Sequence, residues 1–370
     1  MLKIFLFLLF AIMMAGCGSD NNTNQRSTDG TKAYQVGYQV ISFFDSSRTY
    51  RPNVGQSDPL YFRPIDIDLW YPTTQVGSDS TLRFGYFLKL LEDRANLYSA
   101  PQKFDSLPLT IAKSFCDGFG CSQPDLLLKH RTNTFNAAKP VPKQFPLILY
   151  FASFGSMGYE NYLLFESLAR QGYIVAAVNS IGRYPGDMTM NNADLMEQVR
   201  DADQILNRLE RYNMIDTTNV GVLGYSWGGL AGAIWAMQPR GVKAIVSLDG
   251  SEVHHYGYSG SEDQDFDETI NTPFFNKAAL SAPYLRLESN PEPKTLNKDS
   301  TYNFLSKINA TKQVTKIDSA GHQDFSSLAT VVRSSGKCDL PEVYRTISTL
   351  TISHFEKYLK GNAQRDKIKQ

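Results

Sequence analysis

Several kinds of protein are excluded by what the chain lacks. Its 370 residues carry 37 Lys and Arg against 37 Asp and Glu, so there is no net charge. A nucleic-acid binder needs a basic face to displace phosphate counterions, and none is indicated. No run approaches the ~20 apolar residues that span a bilayer. Histidine numbers five and cysteine four, with no HExxH and no CxxC pair to suggest a metal site. No GxxxxGK[ST] or GxGxxG follows a strand-like run, so no nucleotide cofactor is implied. Asp263, Asp265 and Asp267 imitate the opening ligands of a calcium loop. Glu268 stands where that loop needs glycine, and Phe274 where it needs its last glutamate, so the stretch reads as a solvated acidic loop. Neither a metal nor an organic cofactor is expected. What remains is ordinary globular composition, 42% hydrophobic and 12% aromatic, enough for a sizeable core in one large or two average domains.

The N-terminus reads as an address. Lys3 precedes an apolar run, Ile4 to Met14, and then Ala15-Gly16-Cys17. A short positive region, a brief apolar stretch and small residues at the cut describe an export signal. Met14-Ala15-Gly16-Cys17 also resembles a bacterial lipobox, which places cleavage before Cys17 and lipid on its thiol. The expected organisation is a signal peptide over 1–16, a polar tether over 17–33 and a single domain over 34–361. That implies an exported lipoprotein anchored in a bacterial membrane, periplasmic or at the cell surface. In an oxidising compartment Cys116, Cys121 and Cys338 allow three pairings. The glycine-containing stretch Cys116-Asp-Gly-Phe-Gly-Cys121 favours the first two as a disulfide.

The domain changes texture along its length. An N-terminal elaboration, 34–144, shows strand-like runs at Tyr34–Phe44 and Ile65–Tyr71 and a helical stretch at Leu82–Leu97. From 145 to 361 a regular alternation appears. Short apolar runs at Pro146–Phe151, Tyr173–Val178 and Val220–Leu223 read as strands buried on both faces, and Val242–Leu248, Pro283–Leu287 and Gln313–Ile317 as further strands. Helical patterns fall at Tyr159–Arg170, Asn192–Tyr212, Leu230–Met237, Ser300–Ile308 and Pro341–Lys360. The alternation predicts the α/β class: a mostly parallel, doubly wound sheet with helices on both faces. Functional groups then belong at the carboxyl ends of the strands. The irregular stretch 251–281 is placed to cap such a site.

One motif carries chemistry. Gly224-Tyr225-Ser226-Trp227-Gly228 is a G-x-S-x-G between a strand-like run and a small-residue helix, the context of a nucleophile elbow. A serine hydroxyl needs a base, and the base an acid to orient it. His322 follows the last strand-like run and is the candidate base. His130 and His354 read as structural, and His254 and His255 as surface or packing residues of the insertion. The acid is open between Asp249, which ends one strand, and Glu288, which ends the next. Backbone N–H groups of Trp227 and Phe154 are candidate oxyanion donors, and Tyr225 and Ser153 candidate pocket residues.

Pro146 to Gly155, Ser167 to Val178, Gly224-Tyr-Ser-Trp-Gly-Gly229, Leu248-Asp249, His322-Gln-Asp-Phe325 and Asp68-Leu-Trp-Tyr-Pro72 together resemble the plasma-type platelet-activating factor acetylhydrolases, patchily over roughly 65 to 360. The resemblance implies an α/β-hydrolase fold, a Ser-His-Asp triad and ester hydrolysis without a cofactor. It favours Asp249 over Glu288 as the acid, and it suggests short-acyl or lipid esters as substrates. Where that family's oxyanion loop reads His-Gly-x-Gly, this chain has Ala152-Ser153-Phe154-Gly155. Two other expectations stand beside it: an acetyl or feruloyl esterase acting on acylated polysaccharides, and a non-catalytic surface lipoprotein that keeps the fold as a binding module. Nothing in the residues indicates an oligomeric state.

Overall fold

The computed structural model describes residues 33–75, 81–183, 188–253, 267–273, 275–290, 304–333 and 340–361. The leader, Cys17 and the tether up to Lys32 lie outside them, as do His254, His255, Asp263, Asp265, Phe274 and Cys338. Among the described residues no helix is long and apolar enough to cross a membrane.

The strands are β1 (Gln35–Thr49), β2 (Phe62–Thr73), β3 (Thr81–Arg83), β4 (Arg131–Asn136), β5 (Phe145–Phe151), β6 (Ile174–Val178), β7 (Ile215–Tyr225), β8 (Ala244–Leu248), β9 (Tyr284–Asn290) and β10 (Lys312–Asp318). They form one sheet in the order β10-β9-β8-β7-β5-β6-β2-β1-β4-β3. From β10 to β6 every neighbouring pair is parallel. β2 turns antiparallel against both β6 and β1. The N-terminal elaboration is therefore the outer half of the same sheet, joined to the parallel half where Ile67–Trp70 pairs with Val175–Val178.

The helices are α1 (Phe84–Tyr98), α2 (Leu107–Phe119), α3 (Pro124–Lys129), α4 (Tyr162–Arg170), α5 (Asn192–Leu209), α6 (Trp227–Ala236), α7 (Phe304–Lys307), α8 (Ser327–Arg333) and α9 (Glu342–Phe355). They divide by face. Ile148, Tyr150, Val175 and Ala177 pack with α1, α4, α8 and α9. The intervening Leu147, Leu149, Phe151, Ala176 and Val178 pack with α5 and α6 on the other side. Successive side chains of a strand point to opposite faces, so two covered faces require an unbroken apolar run. That is why β5 and β6 read clearly in the sequence.

Some boundaries shift for local reasons. α4 begins at Tyr162 because Gly158–Asn161 forms a tight turn that delays it. β7 starts at Ile215, earlier than its apolar run, through polar residues Asp216 to Asn219. Cys116 and Cys121 are joined by a disulfide. It closes not an open loop but the end of α2, where Gly120 at φ 80° supplies the left-handed turn that stops the helix.

Candidate active site

The end of β7 is bent by force of packing. Ser226 sits between β7 and α6 at φ 54° and ψ −123°, a conformation that costs a non-glycine residue of order 1–3 kcal/mol. Its neighbours hold it there. The Ser226 N–H donates to Leu248 O at 3.1 Å, and its own carbonyl accepts from Gly229 N–H at 2.9 Å and Ser251 N–H at 3.0 Å. The flanking glycines are required by close approach. A Cβ on Gly224 would lie 2.3 Å from Gly228 O, and one on Gly228 would lie 2.0 Å from Phe151 O. No side chain fits at either place, so the start of α6 presses against the end of β5.

Two further strand ends converge on Ser226. Asp249 follows β8, also at positive φ (44°), with its N–H donating to Leu287 O at 2.7 Å. His322 opens a short turn after β10. His322 Nε2 lies 2.9 Å from Ser226 Oγ, and Nδ1 lies 2.7 Å from Asp249 Oδ2. Asp249 Oδ1 accepts from Ser289 N–H at 2.9 Å. A carboxylate at Nδ1 selects the tautomer whose proton is on Nδ1, leaving a lone pair on Nε2 for the serine proton. Burial alone would raise the Asp249 carboxyl. The His322 hydrogen bond, the Arg286 charge and the Ser289 N–H overcome burial and hold it down at about 2.

Glu288 takes no part in this run. It lies within β9, where its carboxylate accepts from Arg286 Nε at 2.8 Å and faces Lys316 Nζ at 3.9 Å. Alternation along the strand turns it away from the histidine. Arg286 is fully buried and also donates to Gly250 O at 2.8 Å and pairs with Glu252 at 3.1 Å. It thus braces the turn that carries Asp249. Neither Arg286 nor Glu252 was visible as a functional candidate, since each reads as an ordinary charge in the chain.

The two pocket candidates both have partners within the fold. The Tyr225 ring is buried and stacks on His322, centroids 5.2 Å apart at 28°, and its hydroxyl donates to the His322 carbonyl at 3.1 Å. It therefore supports the histidine from the last residue of β7. The Ser153 hydroxyl donates to the buried Glu160 at 2.5 Å and is likewise turned inward. Phe154 and Trp227, the candidate oxyanion residues, touch edge to face with centroids 6.0 Å apart. Trp227 is the first residue of α6, where backbone N–H groups have no partner within the helix. The other described histidines stand elsewhere. His354 Nε2 lies 3.2 Å from Pro283 O, and burial pushes its ring down to about 4. His130 ends α3.

A parallel sheet entered by an antiparallel pair, with a serine after β7, an aspartate after β8 and a histidine after β10, is the α/β-hydrolase fold, and the chain has it. Residues 123–268 match the model of the X-Pro dipeptidyl-peptidase (S15) family. That span holds Ser226 and Asp249, stops short of His322 and covers less than half the chain. No curated protein matches the sequence. Among solved structures, the chain is similar to a ferulic acid esterase from Streptomyces cinnamoneus. The identity is 18% and the TM-score 0.59, over 92% of this chain and 94% of that one. It is also similar to DcsB in complex with its substrate analogue, with 12% identity and a TM-score of 0.45 over 59% of this chain and 92% of that one. The acylaminoacyl peptidase of Pyrococcus horikoshii matches at 16% identity and a TM-score of 0.42, over 59% of this chain and 38% of that one. The likeness to the ferulic acid esterase speaks to the fold alone.

Proposed function

We propose that the chain is a serine hydrolase that cleaves carboxylic esters through an acyl-enzyme on Ser226. The observation that carries this reading is the hydrogen-bonded run from Asp249 through His322 to Ser226, at 2.7 and 2.9 Å. Ser226 Oγ attacks the ester carbonyl as its proton passes to His322 Nε2. The tetrahedral oxyanion collapses, and the leaving alcohol takes that proton. Water then adds to the acyl carbon, losing a proton to Nε2, and the proton returns to Ser226 Oγ as the acid departs. Asp249 keeps the imidazole in the working tautomer and stabilises the imidazolium. The backbone N–H groups of Trp227 and Phe154 receive the oxyanion, each such donor contributing about 2.7–4 kcal/mol in comparable sites.

The substrate class is a short acyl ester, acetyl foremost, or a lipid ester, as the resemblance to the platelet-activating factor acetylhydrolases suggests. A feruloyl or acetyl esterase acting on acylated polysaccharides is the second reading, in keeping with the name of the ferulic acid esterase similar in fold over nearly the whole chain. A panel of aryl acetate, short-chain phosphatidylcholine, methyl ferulate and an X-Pro dipeptide anilide separates these from the peptidase named by the family match. The acetate is expected to turn over fastest, and a preference for ferulate or anilide would replace the first reading. Ser226→Ala should abolish all turnover and fluorophosphonate labelling while leaving the circular-dichroism spectrum unchanged. Failure of the wild type to label would favour the non-catalytic binding module. We also infer export and lipid anchoring at Cys17, from the leader alone. Labelled palmitate should enter the wild-type chain and not Cys17→Ser.

A further inference from the structure

Ser226, His322 and Asp249 rest on strand ends, but the Phe154 donor lies in a loop that needs its own anchor. That anchor is a carboxyl group the proposed chemistry does not use. Glu160 is 4% exposed. Its Oε1 accepts from Ser153 N–H at 2.8 Å and from Tyr150 OH at 2.7 Å, and its Oε2 accepts from Ser153 Oγ at 2.5 Å. A buried carboxyl is costly unless its oxygens are satisfied. Burial pushes Glu160 up, while the donations from Ser153 and Tyr150 oppose that shift. The same short turn reaches the other way. The Glu160 carbonyl accepts from Ser326 Oγ at 2.8 Å and Ser327 Oγ at 2.9 Å. Asn161, wholly buried, donates from Nδ2 to Phe325 O at 3.2 Å and accepts at Oδ1 from Ser327 N–H at 3.0 Å. Phe325 ends the His322 turn and Ser326 and Ser327 directly follow it.

Resting on the serine-hydrolase reading above, we infer that Glu160 is a positioning residue. Its carboxyl fixes the oxyanion loop at the Ser153 amide, and its carbonyl, with Asn161, ties that loop to the segment carrying His322, so that oxyanion donor and base keep one spacing. The tie acts where charge develops, not where substrate is held. Its loss therefore belongs in kcat and not in KM.

The test uses aryl acetate turnover by the full chain, with active sites counted by fluorophosphonate titration. Glu160→Asp keeps the charge but withdraws the carboxyl by one methylene. It should lower kcat per active site about 10- to 100-fold, the order expected of a displaced catalytic group, with KM within about twofold. Glu160→Gln keeps an acceptor at Oε1, so its kcat should recover to within about threefold of wild type. Wild-type kcat per site in Glu160→Asp, with only a lower melting temperature, would overturn the inference and leave the serine reading intact. So would a Glu160→Gln variant as slow as Glu160→Asp, since an acceptor kept at Oε1 would then not suffice to hold the Ser153 amide. A wild type that neither turns over nor labels would sink the serine reading and the inference together.

Discussion

Two regions of this molecule bury charge, and they do so differently. Where β1 and β2 meet α1 and α5, the charges are permanent and paired. Arg63 donates to both oxygens of Asp201 at 2.8 and 2.6 Å. Arg48 spans Asp45, Glu197 and Asp201, each at 2.6 Å. Arg94 forks onto Asp68 at 2.9 and 2.8 Å. At the rim around Ser226 the groups in line are a carboxylate, an imidazole and a hydroxyl, and the nearby guanidinium of Arg286 braces the carboxylate from behind. Arginine keeps its proton at any working pH, so the first region can lock strands to helices and transfer nothing. The rim has groups able to exchange a proton, and it has strained backbone at Ser226 and Asp249. Fixed ions serve where the fold must hold, and titratable ones where a proton must move.

Breaking each region should produce opposite signatures. Asp249→Asn should lower kcat about 10⁴-fold, as loss of the orienting acid does in related triads, while Glu288→Gln stays within about threefold in the same assay. A larger loss from Glu288→Gln would reverse the assignment of the acid. Asp201→Asn leaves buried arginines short of a partner and should cost about 3–5 kcal/mol of stability. Urea unfolding would read that cost, and kcat per titrated site should not move; a fall in kcat would merge the two regions into one. The Asp249 carboxyl is lowered from its usual 3.8 to about 2. A depressed acid stabilises the fold above its unfolded value and loses that contribution as pH falls through its folded value. The stability gap between wild type and Asp249→Asn should therefore shrink by about 2 kcal/mol between pH 5 and pH 2. A constant gap would count against the His322 and Arg286 contributions. Smallest of all, Tyr225→Phe removes only the hydroxyl at the His322 carbonyl and should slow kcat by about three- to tenfold with little change in melting temperature.

The two halves also differed in how far the sequence could be read. The parallel half was legible because doubly covered strands cannot avoid continuous apolar runs, and because G-x-S-x-G is a steric requirement with no substitute at Gly224 or Gly228. The placement of His322 after the last strand followed from the same order of elements. In the outer half, β1 and β2 were legible, but β3, β4, α2 and α3 were not. β3, β4 and α3 are short, α2 buries only Ala112 and Cys116, and Arg131–Asn136 mixes buried and exposed residues without an apolar run. The support of the site was hidden for another reason. Glu160, Arg286 and Tyr225 act through partners distant in the chain, Ser327, Gly250 and His322 among them, and such pairings leave no local pattern. Choosing Asp249 over Glu288 as the proposed acid needed the resemblance, since two strand ends offered a carboxylate and nothing local in the sequence says which one meets His322.

The glycine pair around Ser226 has a consequence for anyone wishing to retarget this protein. With main chain packed against main chain at residues 224 and 228, the hub that aims the nucleophile offers laboratory evolution no room for even one added methyl. Useful variation is better sought at Phe154, a half-buried loop residue whose ring meets Trp227 edge to face, where a smaller or larger side chain leaves the turn at Ser226 unaltered.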